Sequence, residues 1–172
     1  YKMSLKNKEM KTLFKILSVV LITLFQNCKS QDNQRYINQY EDSVSKLQQL
    51  AKEKDKFYGM NFSIFMDEME KKKVKIIDYG YSGKTASSPI IYVIRLWFTD
   101  HDLTEVSQKN KYQLPIVTIT FQEEIPYEFR ALTVKYEGRL SEEVKTFLSN
   151  RKIEKIDFYG INGLTSTDRS SR

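Results

Sequence analysis

Ile90–Phe98, read as IIYVIRLWF, decides the fold. Eight of its nine residues are apolar or aromatic, the exception being Arg95. The run is short, follows Pro89 and is rich in β-branched and aromatic side chains, which reads as a strand inside a sheet with cover on both faces. It is taken as the central strand.

Neighbouring segments share its period of two. In Val74–Tyr81, Val74 and Ile76 fall on one face and Ile77, Tyr79 and Tyr81 on the other, predicting a strand. Leu114–Phe121 and Tyr127–Tyr136 read as two further strands joined through QEEIP into a hairpin, with Pro115 at a strand start and Pro126 in the turn. Ile153–Tyr159 is the fifth strand.

Helical spacing frames this sheet. Tyr36, Ile37, Tyr40, Val44, Leu47, Leu50 and Ala51 recur in steps that build one face of a helix beginning near Asn33 or Gln34, with Asp32 or Asn33 as its cap. After Gly59, a second helix starts at about Phe62, buries Phe62, Phe65, Met66 and Met69, and ends on Lys71, Lys72 and Lys73, where positive charge suits the helix dipole. Ser141 caps a third, with Glu142 and Glu143 in its first turn and Val144, Phe147 and Leu148 inward. The order ααββββαβ predicts an α+β domain: a mostly antiparallel five-stranded sheet with helices packed on one face. The domain is bounded at residues 36–164, and 165–172 read as a frayed, disordered tail.

An internal echo runs at an offset of 80 residues: Lys72, Lys75, Ile76, Tyr79, Gly80, Gly83 and Thr85 match Lys152, Lys155, Ile156, Tyr159, Gly160, Gly163 and Thr165. Strand-end chemistry, aromatic for the sheet and glycine for the turn, accounts for it without a duplication.

Upstream of the domain, Lys11 and Lys15 open the stretch Met10–Cys28, MKTLFKILSVVLITLFQNC, which is apolar from Ile16 to Phe25 apart from Ser18 and Thr23. A spanning helix needs roughly 20 apolar residues, so this run has the length of a secretory signal instead. It closes on the only cysteine of the chain. In these residues the chain resembles the bacterial lipoprotein class, whose signal ends at a cysteine that is acylated and becomes the new N-terminus. That class favours Leu three places before the cysteine and a small residue just before it; here Phe25 and Asn27 stand there, with Leu24 one step early.

The resemblance implies a signal peptide over residues 1–27, with Met10 as its expected start. Lipid is attached at Cys28, and residues 28–35 form the acylated cysteine and tether. One acyl chain holds a protein only marginally and two or three hold it durably, so the implied partner is the membrane itself. Lys29 follows the cysteine in place of the Asp that retains some lipoproteins on the inner membrane, which points to the outer membrane. With Cys28 acylated, no disulfide forms within the chain.

Charge excludes one class of partner. The formal charge is +6, but five of the 28 basic residues and one of the 22 acidic ones precede Cys28, leaving 23 against 21. An excess of two positive charges makes no footprint for nucleic acid.

Catalytic signatures are weak. Ser82-Gly83-Lys84-Thr85 contains the GKT of a phosphate loop, yet Asp78 stands where the motif needs glycine and Ala-Ser-Ser-Pro follows where it needs a helix. Asp100-His101-Asp102 with Glu105 is a histidine-carboxylate cluster, but the chain has one His, and a mononuclear metal site wants several His or Cys ligands. The cluster also suits an exposed turn in which Thr99 or Asp102 caps a helical turn at LTEV. No serine sits in a nucleophile elbow, and Glu123 and Glu124, adjacent in a hairpin, point to opposite faces. No catalytic residue, metal site or cofactor is assigned.

What remains is recognition. Aromatic residues make up 13% of the chain, and Tyr and Trp bring contact area at little entropic cost. Trp97, Tyr127, Phe129 and Tyr136, on or near the expected hairpin, form the candidate binding surface. The expectation is an envelope lipoprotein that binds an envelope protein as an accessory, inhibitor or immunity-type molecule. The alternative is a small ligand-binding or metal-dependent enzyme domain built on the loop from Asp100 to Glu105.

Overall fold

The computed structural model describes residues 31–85 and 88–172. The signal segment and Cys28 lie outside the described residues. Tyr36–Arg172 is one compact unit, and apart from the opening residues of the first helix everything below belongs to it. No helix of the described residues is long and apolar enough to cross a membrane.

The chain is α+β, with one antiparallel sheet. Its strands are β1 (Asp78–Ser82), β2 (Ile91–Trp97), β3 (Ile116–Ile125) and β4 (Ile153–Tyr159), paired in that order. Helix α1 covers residues 31–52, so Asp32 and Asn33, expected as caps, are already helical. Then come α2 (Phe62–Lys71), α3 (Thr104–Asn110), α4 (Phe129–Lys135) and α5 (Glu142–Leu148).

The periodic faces land where their spacing requires. Tyr36, Tyr40, Val44, Leu47 and Leu50 of α1 and Phe62, Phe65, Met66 and Met69 of α2 are buried in one core. Across from them lie Tyr79 of β1, Ile94 and Leu96 of β2, Val117, Ile119 and Phe121 of β3, and Ile156 and Phe158 of β4. Each fully buried Leu, Ile or Phe contributes about 1.5–3 kcal/mol relative to exposure. Ser141 caps α5 as expected, its hydroxyl accepting from the Val144 amide at 3.3 Å.

The sheet has four strands among the described residues, not five. Tyr127–Tyr136 is no strand: it forms α4. Both periods fit this segment, since Tyr127, Phe129, Ala131 and Thr133 alternate while Phe129, Leu132 and Tyr136 recur at three and four. Tertiary contacts decide for the helix, because Phe129 is fully buried with its ring 5.9 Å from Tyr79, 5.8 Å from Tyr81 and 5.6 Å from Phe147. Strand β3 runs on through the expected turn to Ile125, and Pro126 starts the helix, its carbonyl accepting from the Phe129 amide at 3.0 Å.

Strand β2 is an inner strand, but its two faces differ. Ile94, Leu96 and Phe98 enter the core, whereas Arg95 on the other face is exposed and Trp97 half-buried. The first strand starts at Asp78 rather than Val74. The echo joins unlike positions: Tyr79 faces the core and Tyr159 the opposite side of the sheet, exposed.

The tail read as frayed is tied down. The Gln113 side chain donates to the Ser166 and Asp168 carbonyls, each at 2.7 Å, and Arg169 donates to the carbonyls of Tyr112 and Lys111. Arg172 exchanges a reciprocal backbone pair with Phe158 at the edge of β4, at 3.2 and 2.9 Å.

Candidate functional site

The four expected binding aromatics do not share a surface. Trp97 lies on the outward face of β2, Tyr127 precedes α4 in the open, Phe129 is in the core, and Tyr136 is half-buried at the C-terminal end of α4. Trp97 belongs to another element, and in the helical segment Phe129 and Tyr136, seven residues and about two turns apart, share one stripe, while Tyr127 comes before the helix.

Tyr127 is the most exposed aromatic among the described residues, at 73%. It borders a cleft of about 170 Å³ whose other walls are Pro89, Ile90, Ile91, Glu124, Ile125 and Pro126. The two prolines stiffen its rims. Arg130 holds it together, its guanidinium 4.8 Å from the Tyr127 ring centre and donating to the Pro89 carbonyl at 2.9 Å. Ile90 is 44% exposed at this cleft, and Val134, two turns along α4 from Tyr127, is 78% exposed. Ile90 was not foreseen as a surface residue, because its place in an apolar run reads as core.

A second surface is the outward face of the sheet. Strand register places Asp78, Trp97, Ile116 and Tyr159 in one row across four strands, and Gly80, Arg95, Thr118 and Asp157 in the next. Ile116 and Thr118 are half-buried, Arg95 and Tyr159 exposed. Asp157, buried, is paired with Lys155 at 2.9 Å, and that contact holds the Lys155 ammonium above its usual range. Of these only Trp97 was foreseen. The rest follow from register, which the sequence alone leaves open.

The histidine-carboxylate loop is occupied with structural contacts. Asp100 accepts from the Gln39 side chain at 2.7 Å while its amide donates back to that side chain at 3.0 Å. Glu105 pairs with Lys109 at 2.8 Å, a hydrogen bond that lowers the carboxyl pKa. The expected helical turn is there, as a 3-10 turn at His101–Leu103 running into α3. No three His, Cys, Asp or Glu among the described residues converge to hold a metal.

Lys84 of the SGKT segment reaches over the Tyr92 ring, 4.6 Å from its centre, and pairs with Glu154 of β4. Tyr136 sits beside Lys135 and Glu143: its hydroxyl, then the 2.9 Å contact between the two charges, lowers the Glu143 carboxyl pKa and raises that of the Lys135 ammonium. These are exposed, screened contacts that shape a surface rather than a reaction centre.

Compared with family models, curated proteins and solved structures, the chain matches none.

Proposed function

We propose that this protein is a lipoprotein of the bacterial envelope, held by acyl chains on Cys28, whose α+β domain binds another envelope macromolecule as an accessory, inhibitor or immunity-type protein. It does no chemistry of its own. The observation that carries the binding reading is Tyr127, 73% exposed beside exposed Ile90 at a proline-walled cleft. A large aromatic left in water next to an apolar recess is what an interface anchor looks like before its partner arrives. The anchor is carried by the apolar run ending at Cys28, and Lys29 favours the outer membrane.

Two measurements test this. Cells labelled with palmitate should yield a labelled protein in the outer-membrane fraction, and Cys28→Ser should abolish the label; label retained in that variant removes the anchor. The full chain should also capture a stoichiometric partner from envelope extract, and Tyr127→Ala should weaken capture at least about tenfold. Repeated absence of any partner removes the binding reading, and undiminished capture by Tyr127→Ala moves the interface elsewhere.

A further inference from the structure

We propose that the exposed stripe of α4 pairs with the same stripe of a second copy of this chain, the two helices running antiparallel about a two-fold axis near Ala131. The inference rests on the reading of Tyr127 as an interface anchor and names what covers that anchor in the protein alone. An envelope partner that uses Tyr127 competes with the second copy.

The first support is an apolar stripe turned away from the domain. Tyr127 and Glu128 sit in the turn that winds into α4, their carbonyls accepting from the Arg130 and Ala131 amides at 3.0 Å each. A helix turns about 100° per residue, so Tyr127, Ala131 and Val134 fall on one side. All three are exposed, Tyr127 by 73% and Val134 by 78%, while Phe129 on the opposite side is fully buried. Apolar residues scattered singly over a surface are ordinary, whereas an aligned set marks a contact. Alanine at the centre of the stripe lets two helices approach to the near end of the usual spacing, about 8–10 Å between axes.

The second support is charge, which selects the occupant. Glu128 and Lys135 lie on one flank of the stripe, toward its two ends, and both are exposed. In an antiparallel pair like flanks meet, so Glu128 of each copy faces Lys135 of the other while Tyr127 of each covers Val134 of the other. A closed two-fold interface requires this self-complementarity, in which the first residue meets the second and the second meets the first. In a parallel pair opposite flanks meet and both charge contacts are lost, so charge also fixes the direction.

Neighbouring charges leave the contact open. Lys135 lies 2.9 Å from Glu143, yet its side chain is 58% exposed and its ammonium carries three donors, enough for both carboxylates. Arg130, on the other flank, is held back by the Pro89 carbonyl at 2.9 Å and by the Tyr127 ring. The stripe spans about two helical turns, extended by Ile90, 44% exposed at the Tyr127 cleft. A contact of this size belongs with the small, transient interfaces, and a Kd below about 0.5 mM is expected.

Sedimentation equilibrium of the full chain, in a neutral detergent matched in density to the solvent, tests this up to about 1 mM protein. The wild type should rise from the mass of one chain toward that of two. Glu128→Lys and Lys135→Glu should each weaken association at least about tenfold, because like charges then face each other at both contacts. An equimolar mixture of the two variants should associate again, since every contact between unlike copies is then between opposite charges; this recovery also shows that both variants are folded. A wild type that stays single throughout, association equal in all four samples, or a mixture that fails to recover would overturn the proposal. Failure here is separable from failure of the recognition reading. An envelope partner captured through Tyr127 by a chain that stays single removes the second copy and keeps recognition, and a dimer that captures nothing further does the reverse.

Discussion

The tip of the Trp97 indole abuts Gly80, so close that a single added carbon at position 80 would stand 2.7 Å from the ring. The contact is with the end of a side chain, so the ring moves rather than the backbone. Gly80→Ala is therefore expected to lift the indole off β1, at a cost of about 1–3 kcal/mol for overpacking. Unfolding in urea measures the cost, and the emission of the single tryptophan shows the displacement. An unchanged spectrum in a folded variant would mean that the ring does not rest where the structure puts it.

Gln113 is 1% exposed and its side-chain amide spans to both Ser166 and Asp168. Tyr36 donates its hydroxyl proton to the Gln113 carbonyl, and the Gln113 amide donates to Leu164 at 2.7 Å. Gln113 thus holds the chain from Leu164 to Asp168 through its backbone amide and its side-chain amide, while its carbonyl ties it to Tyr36. Gln113→Leu keeps the volume and the backbone bonds but removes the two side-chain donors, costing about 1–3 kcal/mol. Trypsin should then cut after Arg169 several-fold faster than in the wild type, while the core stays protected. Equal cleavage rates would show that the tail is held by other contacts.

These two cases mark what local pattern reveals and what it does not. The faces of α1 and α2 and the inner position of β2 were legible because burial there repeats with the element's own period. Tyr127–Tyr136 satisfied two periods at once, and the tie was broken by Tyr79 and Phe147, far away in the chain. The tail has no period, and its anchor Gln113 lies 53 and 55 residues before the carbonyls it holds. Of the candidate surfaces, Tyr127 was visible as an aromatic on the expected hairpin. The company of Trp97 was not, since a row across four strands depends on three registers.

Burial raises the pKa of the Tyr36 hydroxyl strongly, and that of Tyr40, Tyr58 and Tyr79 less. In the unfolded chain these phenols ionise near pH 10. Each folded-state pKa lies above its unfolded value, so the protein holds these protons more tightly when folded. That contribution is complete below about pH 10 and is lost as pH rises beyond it. The urea midpoint should accordingly fall above about pH 10. Tyr36→Phe should start lower, by about 1 kcal/mol for the lost hydrogen bond, and then fall less steeply. Parallel alkaline slopes in the two proteins would remove Tyr36 as a main source of the loss.

Helix α2 ends in a left-handed closure at Lys73, whose φ is 54°. The Lys73 amide donates to the Glu70 carbonyl and the Val74 amide to the Met69 carbonyl, each at 2.9 Å, the pair of hydrogen bonds of a helix stop that usually carries glycine. Lys73 bears a Cβ at a φ that disfavours one, and its side chain enters no ion pair among the described residues. Its carbonyl accepts from the Lys46 ammonium at 3.1 Å, a bond that needs only the backbone. Lys73→Gly therefore relieves strain and leaves both closing bonds intact, although the freer glycine also favours the unfolded chain. The net expectation is a gain of about 0.5–1 kcal/mol. Lys72→Gly, one residue earlier at φ −80°, serves as the control: it frees the chain and gives up the 3.5 Å ion pair with Glu68 without relieving strain, and should lose stability by about 1 kcal/mol. Opposite shifts of the two urea midpoints confirm the closure, and a loss in both variants would rule out strain at Lys73.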